Sequence, residues 1–330
     1  MQYNVLGKTQ LKVSCLGLGT MTFGGQVDVK NAQMIVDECV EAGINFFDTA
    51  DVYQDGHSEE VLGKCIAKHR SNIVLATKVG MGPNLTLKGL SRRQIIEAVE
   101  LSLKRLETDY IDLYQVHRPD YSIDLEETLR ALDELVKQGK VRYVGCSNYL
   151  AWYLCKALWI SDAYGLTQFS TTQARYNLLD RRIEDDLLKL SREQKLGVIT
   201  YNPLAGGFLT GKYARGKDPS PGTMLEKNSS YKERYWFHEN FDAVETFLDL
   251  TRSLGRDPVH LALRWVMNNP LVTVPIVGIS SIEQLKHALP MLNMDISQEE
   301  LDQCNTVLGV AFDRYAPWLS TNPRNITTPS

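Results

Sequence analysis

Short β-rich runs and helical patterns alternate along the chain. The runs are CLGLG (15–19), INFFD (44–48), IVLAT (73–77), IDLYQVH (111–117), VRYVGCS (141–147), STTQARY (170–176), GVITYNP (197–203) and TVPIVG (273–278). Between them, apolar residues return every three or four positions. In 29–43, Met34, Ile35, Cys39 and Ala42 share a face, with Gly43 as a stop. In 92–106, Ile95, Val99, Leu103 and Leu106 keep helical spacing behind Ser91, a residue suited to capping. The stretch 125–140 repeats the scheme and stops at Gly139. This alternation predicts parallel βα units. Eight such strands predict an α/β chain folded as a (β/α)8 TIM barrel, with an open doubly wound sheet as the alternative. Residues 3–13 read as an N-terminal β-hairpin turned at Gly7-Lys8, ahead of the first barrel strand.

The pattern fails in one long stretch. From 204 to 240 the sequence offers glycines, prolines and aromatics without a clear period. Loops beyond about 15 residues in a compact domain are usually functional lids or disordered. Tyr231, Tyr235, Trp236 and Phe237 favour a lid over the barrel. The tail 316–330 is polar and contains proline, so it is expected to be extended. With 330 residues, a single barrel domain over 1–330 is of ordinary size.

Composition changes this picture little but narrows the partners. The charged fraction is 23% and the net charge is -4, which argues against nucleic acid or an anionic membrane as a partner. The six cysteines show no C-x-x-C spacing and read as reduced thiols of a cytoplasmic protein. No apolar run approaches the roughly 18 residues of a membrane span, and no secretory leader is visible in MQYNVLGKTQ. No coiled-coil heptad decides an oligomeric state, so an oligomer stays possible.

Candidate chemistry gathers at the predicted strand ends, where barrels of this kind do their work. The second strand ends at Asp48, the third at Lys78, the fourth at His117, and Tyr53 lies just beyond Asp48. A lysine beside a tyrosine favours the phenolate and lowers its pKa. An aspartate paired with that lysine holds the ammonium in place. A histidine nearby can orient a carbonyl oxygen. Taken singly, each residue is as well read as a solvated charge or a turn cap; their joint placement is what carries weight.

The stretches LGLGTMTFG (16–24), NFFDTADVYQDGHSEEVLG (45–63), LATKVG (75–80), YIDLYQVHRPD (110–120), VRYVGCSNY (141–149), QARYNLLDR (173–181) and ITYNPLAGGFLTGKY (199–213) resemble the aldo-keto reductase family over nearly the whole chain. The long loop after strand seven is similar to the branch holding microbial reductases and potassium-channel β-subunits. The resemblance implies that Tyr53 is the general acid and base, that Lys78 lowers its pKa, that Asp48 pairs with Lys78 and that His117 orients the carbonyl. It implies a nicotinamide dinucleotide bound without a Rossmann domain; the near-match GLGTMTFGG has Thr22 where a third glycine belongs. Gly19, Thr20 and Met21, with Asp48, would line the nicotinamide end. Ser147, Asn148 and Gln173 would bond the carboxamide, and Tyr201 would stack on the ring. Leu204, Gly206, Phe208 and Lys212 would wrap the pyrophosphate, and Gly278, Ser280 and Gln284 would face the adenosine. Phe23, Tyr53, His117, Trp152 and Tyr176 would rim the cavity for a small carbonyl compound or sugar.

At the adenosine end this sequence departs from the pattern. Ser280 and Ser281 stand where a basic residue is frequent, Ala288 where asparagine is common and Met224 where arginine is common. A 2'-phosphate favours arginine, though Lys212 and Lys286 remain available. The choice between NADP(H) and NAD(H) stays open. Two rival classes are a non-catalytic redox-sensing subunit that binds nicotinamide, and a metal-dependent barrel hydrolase or isomerase. The strand ends lack a His-x-His pair or a carboxylate cluster, so no metal is expected.

Overall fold

The computed structural model describes residues 1–82, 84 and 86–307; the expected extended tail lies outside them. In chain order the elements are β1 (Tyr3–Val5), β2 (Lys12–Ser14), β3 (Gly17–Gly19), α1 (Val29–Glu41), β4 (Phe46–Asp48), α2 (His57–Ile66), β5 (Val74–Val79), α3 (Arg92–Arg105), β6 (Ile111–Val116), α4 (Leu125–Lys137) and β7 (Val141–Ser147). There follow α5 (Ala151–Ala163), β8 (Thr171–Arg175), α6 (Leu187–Glu193), β9 (Gly197–Tyr201), α7 (Met224–Lys227), α8 (Ser229–Tyr235), α9 (His238–Ser253), α10 (Pro258–Met267), β10 (Val274–Gly278), α11 (Ile282–Ala288) and α12 (Gln298–Thr306).

The chain divides into two compact units. The first holds the described residues of 1–174, 183–201 and 269–290; the second holds 175–182, 202–268 and 291–307. In the first, eight strands close in the order β10-β3-β4-β5-β6-β7-β8-β9, the predicted (β/α)8 ring, so the open-sheet alternative falls. β1 and β2 pair antiparallel outside it as the expected hairpin. The capping logic also holds. Ser91 and Gln94 form a reciprocal capping box at the start of α3. Gly139, just past α4, has φ +74, which side-chain-bearing residues avoid.

The barrel interior is filled by side chains one step apart on the pleat. Leu6, Phe46, Val74, Leu113, Ile199 and Val274 are buried in one cluster. Phe46 lies opposite Val74, Ala76 opposite Leu113, and Ile199 opposite Val274. The hairpin plugs the base of this cluster. Gly7, at φ +60, packs so tightly that a Cβ there would lie 2.3 Å from the Gly197 nitrogen, and Asn4 Nδ2 donates to the Thr273 carbonyl at 2.8 Å.

The stretch 204–240, expected as an irregular loop, carries secondary structure in the second unit. A 3-10 turn covers Ala205–Thr210, α7 and α8 follow, and α9 starts at His238. Asn228 caps α8 by accepting the Ser230 N–H. Phe208, Trp236 and Phe241 pack ring on ring, with Phe208 and Phe241 centroids 4.9 Å apart. The aromatics therefore build a core for the second unit. Turns this short leave no periodicity for the sequence to display.

Candidate active site

The barrel's alternation places the polar set. Residues two apart on a strand share a face. One step beyond the cluster residue Phe46 on β4 comes Asp48. The same step leads from Ala76 to Lys78 on β5 and from Leu113 to Gln115 on β6. Asp48, Lys78 and Gln115 are all buried, as is Gln173 on β8.

Asp48 is saturated. Its Oδ1 accepts from Lys78 Nζ; its Oδ2 accepts from Gln173 Nε2 at 2.8 Å and from Gln115 Nε2 at 3.1 Å. Lys78 Nζ also donates to the Thr49 carbonyl at 2.9 Å and to Tyr53 Oη at 3.5 Å. A buried ion pair persists only when its remaining donors and acceptors are met, and here they are. Gly145 on β7 makes room: a Cβ there would meet Thr171 Oγ1 at 2.1 Å and Gln115 Cγ at 3.4 Å.

Tyr53 is returned toward this pair by a strained turn. Gln54 and Asp55 take φ +51 and +56, and Gly56 takes +95. Left-handed backbone costs a side-chain-bearing residue about 1–2 kcal/mol, and Gln54 Nε2 helps hold it by donating to the Met21 carbonyl at 3.0 Å. The Tyr53 ring then stands 5.1 Å from Lys78 Nζ and edge-on to His117 at 5.7 Å. The His117 N–H donates to the Val79 carbonyl at 2.8 Å, and the His117 carbonyl accepts from Asn148 Nδ2 at 2.9 Å. His117 Nδ1 is buried without a partner.

The electrostatics correct one expectation. Burial, with Asp48 and Tyr201 next, holds the Tyr53 hydroxyl well above the ordinary phenol range; it is not lowered. Lys78 bonds the phenol, but its charge is already matched by Asp48, so desolvation wins. Tyr53 is therefore a neutral phenol with a proton to give. Burial, then the charges of Lys78 and Arg118, push His117 well below its usual range. Its ring is neutral, with one nitrogen donating and the other accepting.

The other expected residues fall into separate groups. Thr20 is fully buried and donates through both N–H and Oγ1 to the Asp48 carbonyl, at 2.9 and 3.1 Å. Gly19 ends β3 beside it. Asn148 donates to Ser147 Oγ at 3.0 Å and accepts from Tyr201 Oη at 2.8 Å. Gln173 commits its nitrogen to Asp48, leaving Oε1 as its acceptor. Ser280 donates twice to Gln284 Oε1, at 3.0 and 3.1 Å, and a Cβ at Gly278 would meet open space. Phe23 is fully buried, while Trp152 is 58% exposed on α5, against Tyr153. Tyr176 stacks on Trp265 at 5.0 Å within the second unit.

In that unit Leu204 precedes the turn Ala205–Thr210, which contains Gly206 and Phe208. A Cβ at Gly207 would lie 2.5 Å from Lys212 Nζ, so the glycine leaves the cradle the ammonium needs. Partial desolvation lowers the Lys212 pKa, and no carboxylate pairs with it among the described residues. An exposed cation lying on a glycine backbone fits an anionic group such as a pyrophosphate. In the barrel, the Ser147 hydroxyl as a donor and Gln173 Oε1 as an acceptor fit a carboxamide, with Asn148 holding Ser147 in place. Each group, taken within its own unit, suits one part of a nicotinamide dinucleotide.

Several polar residues escaped the sequence reading. Gln115 was legible, as an amide inside the apolar strand IDLYQVH. Asp51 and Glu59 were not, because nothing in DVYQDGHSEE marks which acids are buried, and so neither were their neighbours Arg105 and Tyr114.

Comparison with known proteins agrees with this geometry. Residues 15–308 match the model of the aldo/keto reductase family. The chain is 38% identical over 321 residues to the uncharacterized oxidoreductase YrpG of Bacillus subtilis, covering 93% of this chain and 96% of that protein. It is 38% identical over 303 residues to a probable voltage-gated potassium channel subunit beta of Arabidopsis thaliana, covering 89% and 92%. It is 35% identical over 341 residues to protein tas of Escherichia coli, covering 93% and 97%. The chain belongs to the aldo/keto reductase family. No helix among the described residues is long and apolar enough to cross a membrane.

Proposed function

We propose that this aldo/keto reductase interconverts a small carbonyl compound and its alcohol, using NADP(H) or NAD(H), with Tyr53 as the general acid and base. The observation that carries this reading is the buried Asp48–Lys78–Tyr53 chain, in which an un-ionised phenol lies 3.5 Å from an ammonium fixed by a carboxylate.

When bound, the dinucleotide supplies or accepts the hydride. Tyr53 gives its proton to the carbonyl oxygen as negative charge develops there. Lys78 stabilises the phenolate that remains, and Asp48 holds the ammonium in place. His117, neutral, lends an N–H to hold the carbonyl oxygen. In the reverse direction Tyr53 takes the alcohol's proton. We assign Gly19, Thr20, Met21, Ser147, Asn148, Gln173 and Tyr201 to the nicotinamide end. Leu204, Gly206, Phe208 and Lys212 are assigned to the pyrophosphate, and Gly278, Ser280 and Gln284 to the adenosine. Phe23, Trp152 and Tyr176 are assigned to the substrate, an aldehyde, ketone or sugar. We place the reaction in the cytoplasm, which six unpaired cysteines support.

The test is direct. The protein should quench its own tryptophan fluorescence on addition of NADPH or NADH, and should then oxidise the preferred one when given a generic aldehyde. Binding without turnover across an aldehyde, ketone and sugar panel would favour instead a regulatory subunit, the reading to which the similarity with a plant channel subunit points. Binding of neither nucleotide would defeat both.

A further inference from the structure

Behind Lys78 lies a second buried acid that the scheme above does not use. Asp51 follows β4 by three residues, and its N–H donates to the Lys78 carbonyl at 3.2 Å. It is 1% exposed, and neither carboxyl oxygen has a side-chain partner; only the backbone N–H of Val52 favours its ionised form by hydrogen bonding. The cations nearby are spent. Lys78 answers to Asp48, Thr49 and Tyr53. Arg105 on α3 is bound to Glu59 on α2, which is itself fully buried and also accepts from Thr77 Oγ1 at 2.5 Å.

The pocket thus holds three carboxyls, Asp48, Asp51 and Glu59, and two cations, Lys78 and Arg105. A carboxylate without a counterion or a side-chain donor is far too costly in a dry site, and such a group takes up a proton instead. Asp48 and Glu59 are each hydrogen-bonded to a cation, so the odd carboxyl is Asp51. Tyr114 on β6 lies in the same surroundings: its hydroxyl is buried without a partner, and after burial Asp51 acts on it more than any other charge. Asp51 also acts on Tyr53, making its phenol harder to ionise.

We propose, building on the function above, that Asp51 is a positioning residue for the Tyr53–Lys78 pair: a carboxylic acid kept neutral so that Lys78 serves one carboxylate only and Tyr53 remains a competent proton donor. When Asp51 ionises, Lys78 gains a second counterion and the phenolate left on Tyr53 loses stabilisation. Carbonyl reduction should then slow as pH rises. Burial, and next the charge of Glu59, lift Asp51 to about 7, partly offset by Arg105 and Lys78, so the change falls in the neutral range.

Two measurements test this, one of which needs no turnover. Carboxyl-13C aspartate labelling should reveal a resonance titrating near neutrality that is absent from Asp51→Asn, and the Lys78 ε-carbon, assigned with Lys78→Met, should follow the same midpoint in the wild type alone. If the aspartate titrates in the ordinary carboxylate range, or the lysine does not follow it, the proposal is overturned. In the kinetic arm, kcat for reduction should fall about tenfold between pH 6 and pH 8 in the wild type, and stay level in Asp51→Asn with the cofactor KM unchanged. Identical profiles in both proteins would also overturn it. A protein that reduces no carbonyl defeats the proposed function, while the resonance arm still judges Asp51.

Discussion

The two ends of the barrel treat buried carboxylates in opposite ways. Near the start of β6, Asp112 accepts from Arg70 Nη1 at 2.8 Å, from Arg142 Nη1 at 3.0 Å and from the Leu75 N–H at 3.0 Å. Both guanidiniums sit 3.9 Å from the Tyr110 ring centroid. One carboxylate has two cations and nothing is left over. At the opposite strand ends, Asp51, Tyr114 and His117 Nδ1 go without side-chain partners, and Tyr53 sits on a left-handed turn. Buried polar groups are normally satisfied, and these three are among the exceptions. The Asp112 cluster is built to hold, while Asp51, Tyr114 and His117 keep hydrogen-bonding capacity in reserve.

This contrast can be broken by substitution, the largest effect first. Lys78→Met should injure both stability and turnover. It leaves Asp48 buried without its cation, a loss of about 3–5 kcal/mol, and should remove most turnover; a urea midpoint equal to wild type would contradict the burial argument. Tyr53→Phe should separate the two. Turnover should fall by about 10²–10⁴-fold, while the urea midpoint and dinucleotide binding stay near wild type. Asp112→Asn should do the reverse, costing about 2–4 kcal/mol with kcat of the folded protein unchanged. A drop in kcat there would mean that the ends are coupled.

Asp51→Asn sharpens the comparison with a change of sign. Asp51 is lifted from 3.8 to about 7 in the folded chain, so the folded state holds a proton that the unfolded state releases in between. Its contribution is full below pH 4 and is lost as pH rises through about 7. The asparagine variant should therefore match or trail wild type at pH 4 and exceed it at pH 8, by roughly 1–3 kcal/mol. Thermal melts at the two pH values would show it; a variant less stable at both would refute it. No comparable gain is available at Asp112, which is already paired.

Much of the fold was legible because the pleat and the helix write themselves into the sequence. VRYVGCS marked β7 to the residue, and eight runs gave eight strands. Strand ends were less legible: β4 is only Phe46–Asp48, since Asn45 turns its side chain to the hairpin, donating to the Lys12 carbonyl at 2.8 Å. The helices in 204–240 were hidden because α7 has four residues and α8 seven, too few to repeat a pattern. At the site, Asp48, Lys78 and His117 could be read because each ends an apolar run. The direction of the Tyr53 shift could not, because residue type gives charge but not depth, and it is depth that decides here.

The hairpin at the base of the barrel has a consequence for how the molecule is made. Asn4 bonds the carbonyl of Thr273, and Gly7 rests on Gly197. On a ribosome the first residues emerge long before either partner exists, and contacts this distant in sequence form slowly. The cork is synthesised long before β9 and β10 and is among the last pieces that can be seated. Until β10 emerges, Leu6 and Val13 have no finished barrel to fill, and the nascent chain must carry them exposed or provisionally packed.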